Sequence, residues 1–112
     1  MAIVAVSIAP TGAGPSVGAY VAEALQVLQA QDRVRFELGS MFTTMEGDLR
    51  EIFDLILAMQ EAVFSKGAVR VGTVIKVDER RDRPASMADK VATIRRHLSA
   101  PDPQDRGRSG EP

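Results

Sequence analysis

With 112 residues, 45% of them hydrophobic and a formal net charge of −1, the chain has the size and balance of one ordinary globular domain, with no room for a second. The absence of cysteine excludes disulfides, thiolate metal sites and cysteine nucleophiles, and a single histidine, His97, removes most zinc chemistry and any histidine-based catalytic pair. Near-neutral charge argues against a dedicated nucleic-acid binder; no apolar stretch approaches bilayer length and no basic leader precedes Ala2, so no membrane partner is expected and the cytoplasm is the expected address.

In chain order, residues 2–9 are a short β-branched run that reads as a strand, closed by Pro10-Thr11-Gly12-Ala13-Gly14-Pro15. Its glycines sit where a dinucleotide fingerprint would, but their spacing differs from G-x-G-x-x-G and Pro15 removes a backbone donor, so a strand-to-helix turn is expected instead. Ser16 is a candidate N-cap for an amphipathic helix from Val17 to Gln29, with Val17, Tyr20, Val21, Ala24, Val27 and Leu28 at helical spacing. Arg33 to Leu38 alternates as a strand, Gly39-Ser40 allows a turn, and Met41 to Glu46 reads as the returning strand.

Asp48, three residues before Glu51, predicts a capping box at the start of a second helix. Its face is Leu49, Ile52, Phe53, Ile56, Met59 and Val63, and Lys66-Gly67 supplies the stop. The next strand carries Val69, Val71, Thr73, Ile75 and Val77 on one parity and Arg70, Gly72, Val74, Lys76 and Asp78 on the other. It runs into Asp78-Glu79-Arg80-Arg81-Asp82-Arg83, whose charges sum to zero, which predicts a self-satisfying salt-bridge loop. Ser86 caps a third helix with Met87, Val91, Ile94 and Leu98 on one stripe and His97 in its last turn, where a cation complements the helix dipole. Residues 100–112, rich in proline and without a large apolar side chain, are expected to be a disordered tail beyond a domain spanning 1–99.

The order β-α-β-β-α-β predicts an α+β, ferredoxin-like sandwich with an additional C-terminal helix. Both crossover helices would cover one sheet face and bury Val4, Val6, Ile8, Phe36, Leu38, Val71 and Ile75. The other face, by parity, would carry Ala5, Ser7, Arg35, Glu37, Thr43, Met45, Gly72, Val74 and Lys76. Such a mixed surface suits a subunit junction or a small ligand, and a homo-oligomer, dimer or tetramer, is expected.

The segment from Gly39 to Asp48 groups hydroxyls, thioethers and a carboxylate, and is the strongest candidate site. Methionine can lie against a planar ring, Ser and Thr can serve ring nitrogens, and Glu46 could bond an exocyclic amine. The same residues could equally make a hairpin and a helix cap, and residue chemistry alone leaves both readings open.

Pro10-Thr11-Gly12, then Tyr20 to Leu25, Met41-Phe42-Thr43-Thr44-Met45-Glu46-Gly47-Asp48, Arg70 to Arg83, Pro84-Ala85-Ser86-Met87 and Asp89-Lys90-Val91 together resemble the small thiamine-binding, YkoF-like family. The resemblance spans roughly residues 2–98; the Thr-x-x-Glu-Gly-Asp and Ile-Lys-Val-Asp-x-Arg-Arg-Asp stretches are its most specific parts. It implies a ferredoxin-like fold, a homo-oligomer and non-catalytic binding of thiamine or its hydroxymethylpyrimidine part; no metal and no resident cofactor are expected. Matched positions near a pocket would be Thr43, Thr44, Glu46, Lys76 and Asp78; parity adds Ser7 and proximity adds Ser40. Ser40 stands where the family often has proline, and Phe42 replaces a smaller residue, which would narrow a pocket. The alternatives are a structural or regulatory oligomer without a ligand, and a small enzyme using Glu46 as a base.

Overall fold

The computed structural model describes residues 1–84 and 86–99, so the tail expected over 100–112 lies outside the described residues. Four strands and three helices follow in the order β1 (Ala2–Pro10), α1 (Gly18–Gln29), β2 (Arg35–Leu38), β3 (Thr43–Gly47), α2 (Leu49–Ser65), β4 (Val71–Glu79) and α3 (Met87–Ser99). The strands form one antiparallel sheet in the order β2-β3-β1-β4, the ferredoxin-like topology that the element order predicts.

Strict alternation in β1 fixes the two faces. Val4, Val6 and Ile8 are buried beneath α1 and α2, with Ala24, Leu28, Val34, Met45, Ile52, Ile56, Met59 and Val63 completing the core. Ile3, Ala5, Ser7 and Ala9 point the other way and are half-buried. Register carries these faces across the sheet: Val4 stands opposite both Met45 and Val77, while Ile3 stands opposite both Glu46 and Asp78.

This register corrects the expected parity of β3. Met45 is fully buried and Thr43 is 6% exposed, so both belong to the helix side; Thr44 and Glu46 take the open face. The run from Met41 to Glu46 contains no clean apolar alternation, so its phase depends on its neighbours. Pairing with Val4 and Phe36 draws Met45 inward. The strand also begins at Thr43, with Met41 exposed in the turn. That turn is tight: a Cβ on Gly39 would stand 2.4 Å from the Phe42 carbonyl oxygen, the acceptor of the Gly39 N–H.

Two of the residues expected in the core are substantially exposed, Leu38 at 65% and Ile75 at 37%, because β2 and β4 are the sheet's edges and helical cover thins there. Phe36 and Val71 are half-buried, and Val69 precedes β4 in the open. Ser16 does not cap α1. The helix starts at Gly18, and the Val17 carbonyl accepts from Tyr20 and Val21 without a side-chain cap. Asp48 does cap α2, accepting the Glu51 N–H at 3.1 Å, and Gly67, at φ +119°, follows the Lys66 C-cap.

Candidate functional site

The two ends of the sheet present two different concavities. At one end a cleft of about 220 Å³ lies between α1, β1 and the β2–β3 hairpin. Val17, Val21 and Leu25 of α1 form one wall, and Gly39, Ser40, Met41 and Phe42 form the rim opposite. Thr43, Val6, Ile8 and Met59 lie deeper. None of the lining residues is ionisable; the polar side chains are the hydroxyls of Ser7, Ser40 and Thr43. Ser7 borders the cleft although register assigns its side chain to the open face.

The second concavity, about 810 Å³ and wide open, lies between the start of β1, the end of β4, the charged loop and α3. Ile3 and Asp78 of its lining belong to a row across the open face in which Arg35, Glu46, Ile3 and Asp78 stand side by side on β2, β3, β1 and β4. The carboxylates of this row hold α3. Glu46, 6% exposed, accepts the Met87 N–H at 2.8 Å through Oε2, and its Oε1 lies 3.5 Å from Arg35 Nε. A carboxylate at the first amide of a helix satisfies an otherwise orphaned donor and complements the dipole. Asp78 pairs with Lys90, one turn further along α3. Hydrogen bonding and attraction from Lys90 hold the Asp78 carboxyl below its ordinary range, against a small opposing effect of desolvation. Ser86 Oγ accepts the Asp89 N–H at 3.1 Å and completes the cap expected for α3.

Two ion pairs form inside the charged loop, and Asp78, expected to be satisfied there, turns to Lys90 of α3 instead. Arg80 grips Asp82 through two hydrogen bonds of 2.5 and 2.8 Å, and Arg81 reaches Glu79 at 3.4 Å. The Arg80 hydrogen bond lowers the Asp82 carboxyl to about 2, and Asp82 in turn raises the Arg80 guanidinium.

The residues singled out from sequence therefore do not converge on one point. Ser7, Ser40 and Thr43 surround the apolar cleft; Asp78 lines the charged concavity; Thr44, Glu46 and Lys76 lie on the open face, with Thr44 and Lys76 in one row on either side of Ala5. Sequence reasoning overlooked the wall that α1 gives the cleft, because Val17, Val21 and Leu25 read as ordinary core spacing. It also overlooked Gln31, whose side chain donates to the Leu28 and Val34 carbonyls and accepts from the Arg33 and Val34 amides. Among the described residues no cluster of histidine and carboxylate side chains could hold a metal ion, and no helix is long and apolar enough to cross a membrane.

Sheet order, register and helix placement define an α+β domain of the ferredoxin-like class, with an apolar cleft beside the hairpin. The chain belongs to the family of thiamine-binding proteins, whose sequence profile matches residues 4–95. Among its relatives, the UPF0045 protein YqgV of Bacillus subtilis is 41% identical over 102 residues, covering 88% of this chain and 98% of the relative. The UPF0045 protein of Mycobacterium bovis is 39% identical over 101 residues, covering 89% and 97%. The solved structure of MJ1052 from Methanocaldococcus jannaschii matches with a TM-score of 0.77 at 34% identity, covering 83% of this chain and 94% of that one. A Thermotoga maritima structure named for thiamine biosynthesis or salvage has a TM-score of 0.71 over 83% and 97% of the two chains; at 18% identity that likeness speaks for the fold alone.

Proposed function

We propose that this chain is a non-catalytic binding protein for thiamine or its hydroxymethylpyrimidine moiety, with the pyrimidine ring in the cleft between α1 and the β2–β3 hairpin. The observation that carries this reading is a ring-sized apolar slot bearing hydroxyls, in a member of the thiamine-binding family. A flat, neutral heteroaromatic ring gains from burial against Val21, Leu25 and Met59, and Ser40 and Thr43 can each donate to or accept from its nitrogens and amine. The thiazolium of thiamine carries a permanent positive charge, which an uncharged slot does not favour. It would extend past the exposed Met41 toward solvent, so free hydroxymethylpyrimidine keeps most of the binding energy. No ionisable side chain lines the cleft to activate its hydroxyls as nucleophiles, which fits binding without chemistry.

Thermal unfolding with hydroxymethylpyrimidine and thiamine tests the reading. A ligand of the native state stabilises it by about 2.7 kcal/mol at a hundred times its dissociation constant. The expected result is a dose-dependent rise with both compounds that is lost in Thr43→Val and Ser40→Ala but kept in Asp78→Asn. A rise lost only in Asp78→Asn would move the site to the charged concavity. No rise with either compound would defeat the ligand assignment.

A further inference from the structure

The start of α1 borders the cleft with its donors unused. Val17, the residue before the helix, lines the cleft together with Ala9 near the close of β1. Among the described residues no side chain caps the helix, and Tyr20 and Val21 both donate to the Val17 carbonyl. The amides of Gly18 and Ala19 are left without an acceptor there. Amides so placed, at the positive end of a helix dipole, suit an anion. The approach to them is clear: Gly12 and Gly14 of the preceding loop have φ of +82° and +90°, and a Cβ at either, or at Gly18, would meet open space. Deeper in the same cleft a buried hydroxyl lacks a partner. Thr43 is 6% exposed, and its Oγ1 makes no hydrogen bond to the described residues. No buried side-chain oxygen among them is both sealed and unpartnered, so this hydroxyl faces the cleft, where a bound molecule can satisfy it.

We infer that the preferred ligand is a phosphate monoester: the phosphorylated form of the hydroxymethylpyrimidine assigned above, with its ring against Thr43 and its phosphate on the Gly18 and Ala19 amides. The inference rests on that assignment. The hydroxymethyl arm is where such an ester forms, so the phosphate projects beyond the ring edge and out of the apolar slot. No carboxylate in the lining repels it, and no guanidinium or ammonium there takes it from the amides. Amides and dipole acting alone give a modest preference, about tenfold over the free alcohol.

Calorimetric titration of the full chain with hydroxymethylpyrimidine and with its phosphate ester tests it, and circular dichroism verifies folding of each variant. Ser16→Asp sets an exposed carboxylate beside the helix start, where it suits the dipole but opposes a phosphate. The wild type is expected to bind the ester about tenfold more tightly than the alcohol. Ser16→Asp should abolish that advantage while the alcohol binds as before, and Ser16→Lys should widen it. Equal affinities for ester and alcohol in the wild type would overturn the inference and leave the pyrimidine assignment standing. An ester advantage that survives Ser16→Asp would overturn it as well, and loss of that advantage in Arg96→Ala would place the phosphate in the charged concavity. Binding of neither compound would defeat the assignment, and the inference with it.

Discussion

A carboxylate on an open sheet face can serve a ligand or the chain itself, and Glu46 serves the chain. Its oxygens are directed to the Met87 amide and toward Arg35, and 6% exposure leaves little surface for anything else. Truncation in Glu46→Ala strands the first amide of α3 while leaving the sheet ladder intact. Amide hydrogen exchange should therefore quicken over Met87 to Val91 and stay unchanged in β1 and β3. Gln31 does comparable work at the other end of the chain's first crossover. Four hydrogen bonds from one side chain hold the α1–β2 connection, so Gln31→Ala is expected to cost about 1–3 kcal/mol in urea unfolding. Met45→Ala, at a fully buried position, should cost about 2–5 kcal/mol, whereas the same change at exposed Met41 should cost almost nothing.

At the scale of elements, legibility followed periodicity. β1 alternates without interruption, so its two faces could be read directly, and the 3.6-residue stripe of α2 with its Asp48 cap could be read likewise. An Asp48→Ala variant should lose about 1 kcal/mol through the Glu51 amide it leaves unpaired, checked by denaturant unfolding. β3 failed the same reading because its phase is imposed by Val4 and Phe36 from neighbouring strands, information that no local window contains. The error inverted the environments of Thr43 and Thr44 and so split the candidate site between the two sides of the sheet. α3 shows the complementary limit. Its stripe is amphipathic, yet only Met87 is buried, and exposure rises through Val91 and Ile94 to 77% at Leu98. Periodicity identified the helix and said nothing of how far it lies on the body; polar tethers at Glu46 and Asp78 decide that.

Across the whole molecule the ionisable groups are unevenly placed. The cleft has none in its lining, while the opposite end gathers Asp78, Glu79, Arg80, Asp89 and Lys90 around α3. Asp78 and Asp82 both titrate below the ordinary carboxylate range when folded, Asp78 through Lys90 and Asp82, at about 2, through Arg80. A depressed carboxyl contributes stability that is complete above its unfolded value, about 3.9, and that fades as pH falls through the folded value. The attachment of α3 and the order of the charged loop should thus be constant from pH 8 to 5 and weaken progressively between about pH 4 and 2. The packed interior of β1, α1 and α2 owes little to those charges and should outlast them. Amide signals followed by NMR during acidification are expected to move first in α3 and the loop, and only later in β1 and α2. Raising the salt concentration at pH 7 should loosen α3 in the same order, because the Lys90–Asp78 pair is exposed to screening while the apolar interior is not. If α3 and β1 instead lost their signals in one concerted step, apolar packing and not these ion pairs would be what holds the third helix to the sheet.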